Sequence, residues 1–216
     1  AGSGLKGYSF VWDTSPGTVP PAMKNLDPGI QAVSSPPLAD GMFHYFHIRP
    51  VDNLDNWGNA VHLGPFWIDT QAPLMDAITA PPDQLYNSPP VLSLGFHDNL
   101  ALDDGFYQFD SFAGAWTQIF LNATGISWTA ANWTMPGFAA LPDGPHTIYF
   151  KVTDDTGHSS GAGGELSWTF IKDTTPPVAP ANLASPSHAV STWSLNATID
   201  VTWNDSIDIT SGLSGY

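Results

Sequence analysis

A six-residue phrase stands at both ends of this chain, as Ser3-Gly4-Leu5-Lys6-Gly7-Tyr8 and as Ser211-Gly212-Leu213-Ser214-Gly215-Tyr216, 208 positions apart. Self-similarity at a fixed spacing marks an array of stacked or chained units. The two ends are therefore expected to fall at the same point of one repeating unit, inside a domain. A shorter period lies within the long one. Leu38-Ala39-Asp40-Gly41, with an apolar run through Tyr45, Phe46 and Ile48 to Asp52-Asn53, recurs as Leu141-Pro142-Asp143-Gly144, with Tyr149, Phe150 and Val152 to Asp154-Asp155. Asp69-Thr70-Gln71-Ala72-Pro73 closes the first copy, and Asp173-Thr174-Thr175-Pro176-Pro177 closes the second 104 positions later, half the longer period. Two modules make one repeat.

A length of 216 residues suits two modules of ordinary size, each burying a modest core. Short runs of Val, Ile, Thr, Phe, Tyr and Trp alternate with 20 Gly and 20 Pro, the composition of many short strands joined by tight turns. No segment sustains a helical period. The net charge of −15, from 20 acidic against 5 basic residues, would be repelled by nucleic acid and by an anionic membrane surface, so neither is an expected partner. All the acids but Glu165 are Asp, which fits turns and oxygen-ligand sites better than helix surfaces. The absence of Cys rules out disulfides and thiolate metal sites. No run approaches the roughly 20 apolar residues of a membrane span, and insertion into a membrane is not expected. Ala1 opens without a Met or a signal-like stretch, as in a mature product or an excised piece.

Residues 8–12 alternate as a strand, 13–37 read as loops with one or two short edge strands, and 43–51 and 61–68 are the next clear strands. Between those two, residues 52–59 hold the Asp, Asn and Gly that build a hairpin turn. Seven further strands are expected near 74–78, 91–97, 106–110, 115–121, 126–129, 146–153 and 165–171. From Pro176 another module opens, with strands at 181–184 and within 195–203.

Pro180-Ala181-Asn182-Leu183, then Ile199-Asp200-Val201-Thr202-Trp203, then Gly215-Tyr216 together resemble the first half of a fibronectin type III domain. Tyr8-Ser9-Phe10-Val11-Trp12 resembles the third strand of that family. Tyr45-Phe46-His47-Ile48-Arg49-Pro50-Val51-Asp52 resembles its sixth, with a core tyrosine. Residues 176–216 joined to 9–69 give the roughly 100 residues of a two-sheet sandwich. Residues 71–174 look like a bacterial immunoglobulin-like domain of the kind strung together in large surface proteins, with departures around 84–90 that leave its subtype open. The resemblance implies an all-β chain of tandem immunoglobulin-like (fibronectin type III-like) sandwiches. Residues 1–70 would be the later part of a split module, 71–175 a complete module, and 176–216 the earlier part of the next split module.

Half a sandwich exposes its inner apolar face and open sheet edges to water. Tyr8, Phe10, Trp12, Tyr45, Ile48, Trp203 and Tyr216 are therefore the expected assembly residues, each worth roughly 1.5–3 kcal/mol when buried. The expected partners are copies of the chain itself, in a covalent array or a head-to-tail polymer. The duplicated phrase favours the array, because tail and head would compete for one strand position if they paired in trans.

Asp98, Asn99, Asp103 and Asp104 are placed between the second and third strands of the central module, and Asp154 and Asp155 between its sixth and seventh. In a sandwich these loops share one pole, so Asp98, Asp103, Asp104, Asp154 and Asp155 are candidate Ca²⁺ ligands, which come six to eight oxygens at a time. Asp52, Asp55, Asp205 and Asp208 repeat the pattern in the split module, and the segments carrying Asp69 and Asp173 would enter at the same pole. Without a continuous calcium-loop motif, solvated turn aspartates are the plainer reading. Trp12, Trp67, Trp168 and Trp203 sit in strand patterns that suit a core. Trp57, Trp128 and Trp133 fall in or near loops and are candidates for glycans or a neighbouring fibre. His44 and His47 lie three apart on a strand, which does not make a zinc pair. Four Asn-x-Ser/Thr acceptor patterns occur, at Asn122, Asn132, Asn196 and Asn204.

No catalytic motif is present. The expectation is a non-enzymatic structural repeat of an extracellular, cell-surface fibre, filament or layer, stiffened at its Asp-Thr-x-x-Pro joints. The rival binding role is an adhesin stalk or carbohydrate-binding accessory module. The rival enzyme would need an acid pair such as Asp103 and Asp154.

Overall fold

Gly, Pro, Asp and Asn interrupt every apolar run before a helix could nucleate, and β-branched and aromatic residues fill the runs between them. In the computed structural model, which describes residues 2–81, 84–161 and 163–213, the chain is accordingly all-β. Strands take 45% of its residues, in a sandwich-like arrangement of sheets. Tyr216 lies outside the described residues.

The first sheet joins β1 (Leu5–Asp13), β2 (Gly41–Asp52) and β3 (Val61–Ile68) in that order, all antiparallel. Phe10 faces Ile48 and Trp12 faces Phe46 in the register. Side chains alternate across a strand, so Tyr8, Phe10, Trp12, Phe46 and Ile48 line one face. Ser9, Val11, Tyr45 and His47 line the other. Of the expected assembly residues, Tyr45 lies on the face opposite Ile48 and stacks on His47, while Phe46 packs among the aromatics. Beyond β1 the chain adds an edge: the Leu26 N–H donates to the Tyr8 carbonyl at 3.1 Å, and the Phe10 N–H to Asn25 Oδ1 at 2.9 Å.

The central sheet is built from β4 (Leu74–Met75), β5 (Leu85–Tyr86), β6 (Val91–Phe109), β7 (Thr117–Phe120), β8 (Gly125–Thr134), β9 (Gly144–Asp154), β10 (Ser159–Ser160) and β11 (Ser167–Lys172). Its main path runs β4-β6-β9-β11-β5, with β7 and β8 also on β6 and β10 on β9. Expectation and structure differ most at β6. Residues 91–97 and 106–110, read as two strands flanking an acidic loop, form one strand of 19 residues that changes partner midway. Its first half pairs with β8 and its second with β9 and β7, and the register shifts on both sides of Leu102. Asp98, Asn99, Asp103 and Asp104 sit on this bend. Such a strand belongs to both layers and wraps a core, in which Leu92, Leu94, Phe96, Ile148, Phe150 and Val152 are buried. The strands β6 and β7 approach closely at Gly105, paired with Phe120, where a Cβ would stand 2.1 Å from Phe120 Cε1.

The last sheet is a hairpin of β12 (Ala181–Ala184) and β13 (Thr202–Asn204), pairing Ala181 with Asn204 and Ala184 with Thr202. All seven strand residues are exposed. Trp67 and Trp203, which suit a core by pattern, are exposed too, whereas Trp12 and Trp168 are half-buried.

Candidate functional site

The phrases that recur in the sequence recur as hydrogen-bond patterns. After β2 the carboxylate of Asp52 gathers its own turn: the N–H groups of Leu54 and Asn56 donate to Oδ1 at 2.9 Å each, and Asn56 Nδ2 donates to Oδ2 at 2.9 Å. After β9 Asp154 does the same. The N–H groups of Thr156 and His158 donate to its Oδ1 at 2.8 and 2.9 Å, and His158 Nδ1 lies 3.1 Å from its Oδ2. An Asx turn of this kind replaces backbone partners at the hairpin tip. Both carboxyls are held below the usual range. For Asp52 the main cause is the Asn56 side chain, followed by Ser3. For Asp154 burial pushes upward, and the bonds from Thr156 and His158 outweigh it.

A second pair of aspartates clasps the segments that leave the sheets. Thr70 donates to Asp40 Oδ1 from its N–H at 3.0 Å and its hydroxyl at 2.8 Å, and Gln71 Nε2 donates to Oδ2 at 2.7 Å. Thr174 donates to Asp143 Oδ1 at the same 3.0 and 2.8 Å, with the Thr175 hydroxyl on Oδ2. Beside each clasp a largely buried imidazole holds the preceding carbonyl: His44 Nε2 is 2.8 Å from Ala39 O, and His146 Nε2 is 2.8 Å from Pro142 O. The first clasp reaches further, because Asn99 Nδ2 on the β6 bend donates to Asp40 Oδ2 at 3.2 Å. One carboxylate thus binds the first sheet, the joining segment and the central sheet. Asp40 is held below the usual range by Gln71 and then Thr70, and Asp143 by Thr175 and then Thr174.

The candidate calcium ligands are distributed unevenly. Asp98 Oδ1 accepts from the N–H groups of Leu100 and Ala101 at 2.8 and 2.9 Å, while its Oδ2 is buried without a partner. Asp104 Oδ1 accepts from the Asn122 N–H at 3.0 Å. The Asp155 N–H donates to the Ala101 carbonyl at 3.2 Å, joining the β9–β10 hairpin to the β6 bend. Burial raises the Asp103 carboxyl, and the charges of Asp104, Asp155 and Asp154 raise it further. Among the described residues the group whose ligand atoms converge is Asp69, Asp154 and His158, all within 4.8 Å of one another. Of the five central candidates it contains Asp154 alone. Two carboxylates and an imidazole suit a borderline transition ion better than Ca²⁺. In the split set, Asp55 pairs with Lys6, and Asp208 accepts from the N–H groups of Thr210 and Ser211 at 3.0 and 2.9 Å. Asp205 is exposed.

Trp57 lies under the Arg49 guanidinium, 4.6 Å from ring to cation. Trp128 and Trp133 pack partly buried against the central core, on Phe120 and on Tyr107. Of the residues expected to serve assembly, Tyr8, Trp12 and Ile48 line an open groove of about 430 Å³ together with residues 30–33.

No family model matches this chain, and no curated protein is detectably similar to it.

Proposed function

We propose that this chain is a structural repeat unit of an extracellular cell-surface fibre, filament or layer, made of tandem immunoglobulin-like sandwiches of the fibronectin type III kind. Residues 71–175 form a complete sandwich. Residues 1–70 and 176–216 supply the later and earlier parts of another, closed when the tail of one copy meets the head of the next. The role is mechanical rather than catalytic.

One observation carries this reading. Aligned through the Asp52 and Asp154 turns, Phe46 and Ile48 correspond to Ile148 and Phe150. The central pair is completely buried, whereas the first-sheet pair is only partly buried, with residues 30–33 rather than a second sheet across the groove. Aligned through Asp98 and Asp205, Ile199, Val201 and Trp203 correspond to Leu92, Leu94 and Phe96. The central three are 0, 3 and 0% exposed, and the tail three are 68, 60 and 45% exposed. What covers Ile148 and Phe150 in the central sandwich is the layer that Phe46 and Ile48 lack. Apolar surface of this extent drives association.

The test is sedimentation velocity and electron microscopy of the purified chain and of a tandem of two copies, residues 1–210 followed by 3–216. The expected result is linear assembly of the chain, and in the tandem slowed amide exchange at 199–204 and 46–48 around the inner junction. A chain that stays monomeric, with those residues exchanging freely in the tandem, overturns the proposal. The native polypeptide's denaturing mass then separates an array, far above 23 kDa, from assembly in trans at the 23.1 kDa of this chain.

A further inference from the structure

Three pieces meet at one pole of the central sheet. The entering segment brings Asp69, the β6 bend brings residues 98–101, and the β9–β10 hairpin brings residues 154–158. Asp69, Asp154 and His158 approach within 4.8 Å, and Asp155 is bonded to Ala101. In the tail the first two pieces recur. The segment carrying Asp173 and the loop from Asp205 enclose a groove of about 510 Å³, lined by Tyr86, Asp173, Pro177, Asp208 and Ser211 among others. The third piece recurs at the other end of the chain, as residues 52–56, with the hydrogen bonds of 154–158 reproduced around Asp52. The molecule thus carries the template of a joint in its middle and the two parts of a second joint at its ends.

We infer that the 52–58 hairpin of a second copy of this chain seats in the groove between residues 173–177 and 208–211, with Asn56 against Asp173 as His158 stands against Asp69. The inference rests on the head-to-tail reading above and names its contact. Charge does not drive it: residues 176–216 hold three aspartates and no Lys or Arg, and residues 1–70 hold six aspartates against three Lys or Arg. Lys6, paired with Asp55 of the hairpin, is the cation that would be carried into the acidic tail and offset this in part. What favours it is uncovered apolar surface: Ile199, Val201 and Trp203 are exposed in the tail, and Phe10, Trp12 and Phe46 are only partly buried on the first sheet, so the same docking would cover both.

The chain has no cysteine, so engineered thiols report this contact alone. Full-length Asn56→Cys and Asp173→Cys chains are mixed under mild oxidation, with Ser15→Cys, beyond the far end of β1, replacing Asn56→Cys as control. The expected product is a disulfide-linked pair containing one chain of each kind, several-fold more abundant than with the control and several-fold reduced by adding Trp203→Ala. Assembly without that disulfide overturns the contact and leaves the fibre reading standing. Absence of both disulfide and assembly, with none formed between Asp173→Cys of the first copy and Asn56→Cys of the second in the two-copy tandem, overturns both.

Discussion

The Asn99 amide reaches the Asp40 carboxylate across 3.2 Å, and this bond ties the β6 bend of the central sheet to an aspartate that also holds Thr70 and Gln71. Asp40→Ala removes all of these contacts at once. It is expected to leave the melting of the central sheet unchanged while the joint loosens, read as a larger radius of gyration in small-angle scattering. Asp143→Ala should leave the first joint unaffected. Equal expansion by both variants would show that Asp40 does not control that joint.

Phe96 is completely buried against Phe120, Trp128 and Phe150. Phe96→Ala should cost about 3–5 kcal/mol in chemical denaturation. Trp203, its counterpart in the tail, is exposed, so Trp203→Ala should change the stability of a dilute chain by less than about 0.5 kcal/mol while abolishing self-association. Loss of stability without loss of association would refute the correspondence between the two residues.

The sequence made the periods, the two strands at 43–51 and 61–68 and the hairpin between them legible, because alternation and turn residues are local signals. It showed Leu-x-Asp-Gly and Asp-Thr-x-x-Pro as separate repeats, but not that the aspartate of one clasps the threonine of the other about 30 residues on, a contact made by the fold. The same limit hid the histidines. His47 meets Asp13, His97 meets Asp76 and His146 meets Asp110 across strands, and only His158 with Asp154 lies within one turn of sequence. Residues 98–104 read as a loop because Asp and Asn disfavour strands. Pairing with β8 and then β9 overrides that preference. Alternation separated Tyr45 from Phe46 onto two faces, but the register with β1 decides which face is aromatic.

Most carboxylate oxygens at the central pole accept from protein donors, Asp154 from its own turn, Asp98 Oδ1 from two backbone N–H groups and Asp104 Oδ1 from Asn122, while Asp98 Oδ2 and Asp69 Oδ2 are buried without one. Chelation with EDTA is therefore expected to leave the melting temperature unchanged. A drop of several degrees, restored by Zn²⁺ but not Ca²⁺, would place an ion at Asp69, Asp154 and His158.

Asp103 and Asp154 respond to pH in opposite directions. Hydrogen bonds depress Asp154 in the folded chain, so its stabilisation is complete above the ordinary aspartate pKa of about 3.9 and is lost as pH falls through the lower folded value. Asp154→Ala leaves the Thr156 and His158 N–H groups unpaired and should cost about 1–3 kcal/mol at neutral pH, a penalty that shrinks in acid. Burial and the neighbouring Asp104, Asp155 and Asp154 raise Asp103, so ionising it costs stability as pH rises from about 3.9 through its folded value. Asp103→Asn should thus stabilise the chain at neutral pH by roughly 0.5 kcal/mol, about 2–4 °C for a unit of some 100 residues, with the gain vanishing below pH ~3.5. Thermal melts of the three proteins from pH 3 to 8 check both signs, and a gain for Asp103→Asn that persists in acid would mean that packing rather than charge repulsion is responsible.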